Sequence, residues 1–185
     1  MSRYARAAGG FSLIEVLIGV AVVAVLGTLA APGFRKVLVK QQVDSAANDL
    51  LADLQTARGF AISRGQLVGV QSDAGGWRQG WRIQADAAPA IAGYSADGTT
   101  PLRRHEAVPD GVDVSADRDG ALSAVVFAAD GSVYDAAAGA RATTDTAFML
   151  CKPSGALAQA VRVTVRASGH MESHRDGSVT GASCR

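Results

Sequence analysis

The first feature of the chain is a long apolar run near its N-terminus. From Phe11 to Ala31 the only ionisable residue is Glu15, and Pro32 follows the run. A helix of about 20 mostly apolar residues is long enough to cross the hydrocarbon core of a bilayer. The run therefore predicts a transmembrane helix. Because a carboxylate at membrane depth is costly, Glu15 requires a partner.

The residues before the run predict its orientation. Arg3 and Arg6 precede it without any acidic residue, and basic flanks remain on the cytoplasmic side. An ordinary secretory signal peptide is one alternative, but its core would not normally carry Glu15, and Ala30-Ala31-Pro32 is a poor cleavage site. An uncleaved membrane anchor also fits the length of the run.

A helical period continues beyond Pro32, over residues 34–63. Proline removes a backbone donor and can kink a helix, yet apolar residues recur after it at steps of three and four. This stripe requires a cover, and its alanine content favours a β-sheet of the same chain; a coiled coil with another subunit is the alternative. Arg64 and Gly65 have the composition of a helix end. The stripe consists of Val39, Val43, Ala47, Leu50, Leu54, Ala57 and Ala61.

After Gln66 the period of the pattern changes to two, which is typical of strands. In the clearest segment, Ala160 to Ala167, valines alternate with arginine and threonine. Gly75-Gly76 and Asp130-Gly131 are turn signals. The predicted fold class is α+β, with a long N-terminal helix followed by an antiparallel β domain. The predicted strands are Gln66–Ser72, Trp81–Ala85, Leu122–Ala128 and Ala160–Ala167.

The segment from Ala85 to Ala121 is rich in Ala, Gly, Asp and Pro. Leu102–Val108 and Gly111–Ser115 are candidate short strands, divided by the turn signal Pro109-Asp110-Gly111. Whether they pair in a sheet or form a mobile loop stays open from the sequence.

The start of the apolar run carries a specific motif, Gly10-Phe11-Ser12-Leu13-Ile14-Glu15, after a short basic leader. It resembles the class III signal of type IV pilins and type II secretion pseudopilins. This resemblance implies that a prepilin peptidase cuts between Gly10 and Phe11 at the cytoplasmic face and that the new Phe11 amine is methylated. Pairing of that amine with Glu15 of another subunit would offset the desolvation of both charges and set the register of the filament.

The rest of the chain resembles the GspH/FimT-type minor pseudopilins. The resemblance implies a pilin-like fold in which a long N-terminal helix, its first half transmembrane, packs on a C-terminal antiparallel β-sheet domain. The residues that carry it are Ala57-Arg58, Ala61, Arg64-Gly65-Gln66, Trp77, Gly80-Trp81, Phe127, Asp130-Gly131, Phe148–Cys151, the valine strand and Cys184. The implied organisation is a cleaved cytoplasmic leader (1–10), a transmembrane or filament-core helix (11–32), an amphipathic second half (33–64) and a periplasmic β-rich domain (65–185).

The family also implies a function and a location. Such proteins are structural, assembly-initiating subunits at the tip of a type II secretion pseudopilus or type IV pilus. They cross the bacterial inner membrane once, with a cytoplasmic N-terminus and a periplasmic C-terminal domain. The implied partners are the prepilin peptidase, other minor and major pilins or pseudopilins, and the inner-membrane assembly platform.

Some FimT-type members bind DNA for natural transformation, through a Gly-Arg-x-Arg motif after the valine strand. The matching place here reads Gly169-His170-Met171-Glu172 and lacks both arginines. Arg162, Arg166 and Arg175 remain as a candidate basic patch, but arginines that alternate along a strand are usually solvated. The chain has 18 basic and 17 acidic residues, and loss of the two basic residues of the leader leaves 16 against 17. Nucleic acid is therefore not an expected partner.

Two pairs of residues point to structural roles. Cys151 and Cys184 are the only cysteines, and an even pair in an exported domain predicts a disulfide. Trp77 and Trp81 are predicted to close the β domain against the helix stripe. The alternative for the tryptophans is an exposed contact with another pseudopilin.

Catalysis and metal binding are not predicted. His170 and His174 have a metal-ligand spacing only on a helix, whereas the segment after Gly169 is typical of a strand or turn. Asp117–Gly120 resembles the start of a calcium loop but lacks the later ligands. Without a nucleophile-elbow or other catalytic motif, the chain is not predicted to be an enzyme or to need a cofactor.

Overall fold

The structure is a computed structural model that describes residues 12–85, 101–116, 122–154 and 157–177. The chain divides into two compact units, Met1–Leu38 and Val39–Arg185. The leader, Phe11, Asp117–Gly120 and Cys184 lie outside the described residues, so the predictions made for them stay predictions.

The helix α1 runs from Leu13 to Arg64, a length of 52 residues. Its start is capped locally, because the Glu15 backbone N–H donates to Ser12 Oγ at 3.3 Å. Serine followed three residues later by glutamate is the pattern of a capping box. The helix ends as predicted, since Gly65 has a φ of 64° and its N–H donates to Ala61 O at 3.0 Å.

In the first unit, the described apolar side chains of α1 are exposed on all sides of the helix. Leu13 is 79% exposed, Val23 is 69% exposed and Phe34 is 65% exposed. No helix in the part of the chain that the structure describes has an apolar stretch long enough to cross a membrane.

In the second unit, α1 buries the predicted stripe against the β domain. Val43, Ala47, Leu50, Leu54, Ala57 and Ala61 are each at most 1% exposed, whereas Val39 is half-buried. The cover comes from strands of the same chain, so the sheet interpretation is confirmed and the stripe needs no coiled-coil partner. Burial of each leucine contributes about 1.5 to 3 kcal/mol.

The β domain contains two antiparallel sheets. The first has the strand order β3-β2-β1-β5-β6-β7, and the second has the order β10-β9-β8-β4. A 3-10 helix, Trp77–Gln79, lies between β1 and β2. The strands of the first sheet are β1 Val68–Ser72, β2 Trp81–Ala85, β3 Arg103–His105, β5 Ala124–Phe127, β6 Val133–Asp135 and β7 Ala140–Arg141. The strands of the second sheet are β4 Asp113–Ala116, β8 Thr146–Ser154, β9 Leu157–Val165 and β10 Met171–Arg175.

Both sheets and α1 contribute to one hydrophobic core. In β9 the valines Val161, Val163 and Val165 point into that core while the alternate residues do not. This follows from the strand period of two. Phe148 and Trp81 are among the largest fully buried side chains.

The four predicted strands are all found: β1 and β5 are shorter than predicted, β2 has the predicted bounds, and β9 begins and ends earlier than predicted. The two candidate segments between Ala85 and Ala121 also form strands, but they join different sheets: β3 pairs with β2, and β4 pairs with β8. Gly111 lies in the predicted turn between them, where the Val112 N–H donates to Pro109 O at 3.0 Å.

Four strands were not predicted from the pattern. In β8 both faces are largely buried, so its sequence has no alternation of apolar and polar residues. In contrast, β10 reads Met-Glu-Ser-His-Arg and lies at a sheet edge, where little burial is required. The other two, β6 and β7, have three and two residues, which is too short for a period to be recognised.

Two turns and the helix meet at Arg58. The Arg58 Nε–H donates to Gly131 O at 2.8 Å. Gly131 and Gly169 have φ values of 79° and 82°, and a Cβ at Gly169 would lie 1.8 Å from Gly131 O. Because only glycine fits this approach, Gly169 allows the turn after β9 to pack on the turn after β5.

Candidate functional site

Of the predicted N-terminal site, the structure describes Glu15 alone. Gly10 and Phe11 lie outside the described residues. Glu15 occupies the first turn of α1 and is exposed, a position where the helix dipole favours a carboxylate. Glu15 therefore has two compatible features: a local role at the helix start and a side chain accessible to another subunit.

A buried polar contact fixes the second half of α1 to the first sheet. Asp53 is 1% exposed, and its Oδ2 accepts a hydrogen bond from Trp81 Nε1 at 2.9 Å. Its Oδ1 lies 3.0 Å from Arg103 Nε on β3. Burying a carboxylate is costly unless it is paired and hydrogen-bonded. Trp81 supplies the hydrogen bond, and Arg103 supplies the opposite charge.

His105 extends this contact towards the surface. Its ring stacks on Trp81 with centroids 4.1 Å apart and an interplanar angle of 9°. Its Nε2 lies 3.7 Å from Asp49 Oδ2, one helical turn before Asp53. Two acidic residues on one face of α1 thus hold β2 and β3.

Both tryptophans are buried, so the interpretation that they close the β domain is confirmed and the exposed-contact alternative is wrong. Trp77 is 5% exposed, donates through Nε1 to Leu122 O at 2.6 Å, and meets Phe148 edge-on at 4.9 Å. Trp81 is fully buried. Offset and edge-on contacts of this kind are favourable for aromatic pairs.

The three arginines that were candidates for a basic patch each face a carboxylate. Arg175 NH2 lies 2.7 Å from both carboxylate oxygens of Asp44 on α1. Arg166 NH2 donates to Glu172 Oε1 at 2.9 Å. Glu172 stands where the DNA-binding motif has an arginine, and its carboxylate neutralises Arg166. Arg162 lies 3.5 Å from Asp176 Oδ2. Arg162 and Arg175 lie on the neighbouring strands β9 and β10, and Arg166 follows β9 directly; the three residues do not form a cluster of free cations.

We expect the chain not to retain double-stranded DNA at physiological salt. Each phosphate contact made by these three arginines would have to replace an existing ion pair, and non-specific affinity depends on the number of phosphates neutralised. Retention on immobilised DNA at about 0.15 M salt should be the same for the native chain and for the Arg162→Glu, Arg166→Glu double variant. Salt-dependent retention that the double variant abolishes would contradict this expectation.

The remaining candidate ligands do not form a centre in the described part of the chain. His174 lies in β10, opposite Arg162, and His170 precedes the strand, so a helical pair of ligands does not form there. The described residues contain no group of three or more His, Cys, Asp or Glu side chains placed to hold a metal. Cys151 is 1% exposed on β8, and its predicted bond to Cys184 stays a prediction.

Sequence reasoning did not single out Asp53 or the role of Arg58. Asp53 follows Leu50 by three residues and borders Leu54, so its place on the buried face was readable from helical spacing. The groups that make its burial tolerable, the indole N–H of Trp81 and the charge of Arg103, come from distant parts of the chain. The capping pair Ser12 and Glu15 was also readable as a serine followed three residues later by a glutamate.

The architecture defines the class of protein: a long N-terminal helix packed on an antiparallel β domain is a pilin-like fold. The fold is similar to that of the type IV minor pilin FimU of Pseudomonas aeruginosa strain PAO1, in two crystal forms. In the first, the identity is 22% and the TM-score is 0.56, over 78% of this chain and 96% of that one. In the second, the identity is 22% and the TM-score is 0.53, over 77% and 99%.

A third structure, the minor pseudopilin EpsH of the Vibrio cholerae type 2 secretion system, has 15% identity and a TM-score of 0.46, over 72% of this chain and 97% of that one. Two family models match the sequence. The prokaryotic N-terminal methylation motif matches residues 5–31, and the type II transport protein GspH model matches residues 46–169. The chain belongs to the GspH family, and no curated protein matches it in sequence. It is thus a minor pilin or pseudopilin of the type IV pilus or type II secretion kind.

Proposed function

We propose that this chain is a structural subunit that helps to start assembly at the tip of a type II secretion pseudopilus or type IV pilus. The observation that carries the proposal is the contrast between the two parts of α1. Residues of the first unit, such as Leu13 and Val23, expose their apolar side chains, whereas the stripe of the second unit is buried by its own β domain. The exposed part is thus available to a membrane or to the helices of other subunits.

In this proposal the subunit passes through two environments. The first part of the helix anchors the chain in the bacterial inner membrane, with the leader in the cytoplasm and the β domain in the periplasm. A prepilin peptidase then cuts after Gly10, and the Phe11 amine is released and methylated. During assembly on the inner-membrane platform, the helix leaves the lipid and joins the helices of other pilins.

Glu15 has a defined task in the filament. The helix bundle at the filament centre is as apolar as lipid, so an unpaired carboxylate there would be expensive. The Phe11 amine of a neighbouring subunit would neutralise it and fix the axial position of the two chains. Since Glu15 is exposed in the first turn of α1, its carboxylate is accessible to such a partner.

The function needs no catalytic group or cofactor on this chain. The GspH family is a family of structural subunits, and the described side chains that carry unusual contacts, Asp53 and Arg58, bind other parts of the same domain. The part of the subunit that selects partners is then the surface of the β domain.

We expect co-expression with a prepilin peptidase to shorten the chain by its ten leader residues. Intact-mass measurement should show loss of residues 1–10, with or without one methyl group on Phe11. The Gly10→Val variant should keep its leader, because the peptidase requires a small residue before the cut. An unprocessed native chain, or a cut near Ala31, would contradict the pilin pathway.

The same variant tests the role in assembly. In a host strain that lacks the chromosomal copy, the native chain should restore the number of filaments or the secreted activity, and Gly10→Val should not. The native subunit should be present at far fewer copies than the major subunit in sheared filaments. Restoration by an unprocessed chain would overturn the assembly role.

A further inference from the structure

The first sheet contains a cleft at the place where β6 separates from β5. Its volume is about 340 Å³. It belongs to the second unit and is lined by apolar side chains, among them Leu122 and Val125, together with small and polar ones. They include Ala124, Tyr134, Asp135, Ala137, Ala142 and Thr144. We call this cleft the β5 slot.

The strand ladder shows which main-chain groups face the β5 slot. The Ser72 N–H donates to Ser123 O at 2.8 Å, so Ser123 directs its carbonyl towards β1. Because successive residues of an antiparallel strand alternate in this direction, Ala124 and Val126 direct their N–H and C=O groups to the opposite side. Val126 meets Tyr134 of β6 there. Ala124 has no residue of β6 opposite it.

The gap opposite Ala124 is produced by a specific turn. Asp135 Oδ1 accepts hydrogen bonds from the N–H groups of Ala137 and Ala138 at 3.0 and 3.1 Å. Such an Asx turn directs the chain away from the strand path, and β7 then pairs with β6. Among the described residues, the N–H and C=O of Ala124 have no hydrogen-bond partner. An unpaired edge of this kind is a template for another strand.

We propose that the β5 slot receives an extended segment of a neighbouring pilin-family subunit, whose backbone pairs with Ala124. This is strand addition over a short length, in which main-chain hydrogen bonds supply the affinity. The alanines of the lining leave room for a second backbone. Asp135 is the only charged residue among the described residues of the lining, so the segment carries uncharged or basic side chains. The inference rests on the proposed function, because it takes the partner from the same filament.

The test uses the full chain in a host that contains the prepilin peptidase and the other subunits. Ala137, in the slot, is replaced by the photo-cross-linking residue p-benzoylphenylalanine. The matched control places the same residue at Ala129, which is exposed beyond the other end of β5. We expect irradiation to link position 137, but not position 129, to an extended segment of a pilin-family subunit identified by peptide mapping.

A second substitution tests the backbone contact itself. Ala124→Pro removes the N–H that faces the slot but spares the ladder to β1, since that N–H is not used there. It should lower cross-linking from position 137 roughly fivefold, the effect of one lost hydrogen bond. Ala124→Ser keeps the N–H, so cross-linking from position 137 should be as strong as it is with Ala124. Near-ultraviolet circular dichroism of both variants checks that Trp77 and Trp81 remain packed.

The outcomes separate this inference from the proposed function. Suppose that the leader is cleaved and assembly is restored. The strand-addition inference is then wrong if position 137 cross-links to no pilin-family segment, or if Ala124→Pro does not reduce the cross-link. If the native leader is never cleaved, the proposed function is wrong, and the inference falls with it. A link to a protein outside the family also overturns the inference.

Discussion

Replacing Gly169 by alanine should destabilise the β domain by about 3 kcal/mol or more, the combined scale of a left-handed backbone and an overpacked site. Gly169 has a φ of 82°, and an added Cβ would lie 1.8 Å from Gly131 O. Because this neighbour is backbone held by Arg58, it cannot move without separating two turns. Thermal unfolding followed by near-ultraviolet circular dichroism should show a fall of roughly 6 to 12 °C for a chain of this size.

Two other glycines provide matched controls. At Gly131 the added Cβ would meet the side-chain ends of Ile62 and Arg58, at 2.8 and 3.0 Å. The end of Ile62 can rotate away and the Arg58 guanidinium needs to shift only slightly, whereas the neighbour of Gly169 is backbone, so Gly131→Ala should cost less than Gly169→Ala. Gly59 lies on the exposed face of α1 with nothing within 4 Å, and Gly59→Ala should stabilise the chain by about 0.5 to 1 kcal/mol. Equal losses of stability in Gly169→Ala and Gly131→Ala would contradict this explanation of how the two turns pack together.

Replacing Asp53 by alanine should lower the free energy of unfolding by about 2 kcal/mol, because it leaves the buried Trp81 Nε1–H without an acceptor. The variant would also leave Arg103 unpaired, but the Arg103 side chain is 55% exposed, so water compensates for most of that loss. Denaturant unfolding gives the free energy. The Trp81 indole N–H resonance should exchange faster with solvent in the variant than in the native chain.

Asp49 provides the matched control for Asp53. It lies one helical turn earlier on the same face, but its side chain is 51% exposed and lies 3.7 Å from His105. Asp49→Ala should therefore cost about 0.5 kcal/mol or less. Asp53→Asn keeps an oxygen that can accept from Trp81 and should recover part of the loss. If Asp49→Ala and Asp53→Ala are equally costly, the hydrogen bond to Trp81 is not what makes Asp53 important.

The ion pairs around β9 and β10 explain why these strands do not present a positively charged surface, although the chain has 18 basic residues. Arg175 bridges β10 to Asp44 of α1, and Arg166 lies between Glu172 and Asp145. These partners lie far apart in the sequence or on a neighbouring strand. A count of charged residues therefore predicts the net charge of the domain, but it does not predict which arginines are left unpaired to bind a ligand.

The sequence alone determined the elements whose signals are local. The stripe from Val43 to Ala61 predicted one buried helix face, and the alternation in β9 predicted a strand with one apolar face. Gly65 and Gly111 marked the end of a helix and a turn. These signals are readable because each depends on the backbone geometry of neighbouring residues, which a helical period, a strand period or a left-handed glycine encodes directly.

The tertiary structure decided what depends on partners far apart along the chain. It placed β3 and β4 in different sheets, although the two segments are separated by a single turn. It brought Trp81 and Arg103 to Asp53, and Gly131 and Gly169 to Arg58. No local sequence pattern predicts these contacts, because they follow from how two sheets and a helix pack around one core. The local pattern thus predicted the helix and most of the strands, and the packing of those elements determined which polar groups are paired and which strand edge stays open.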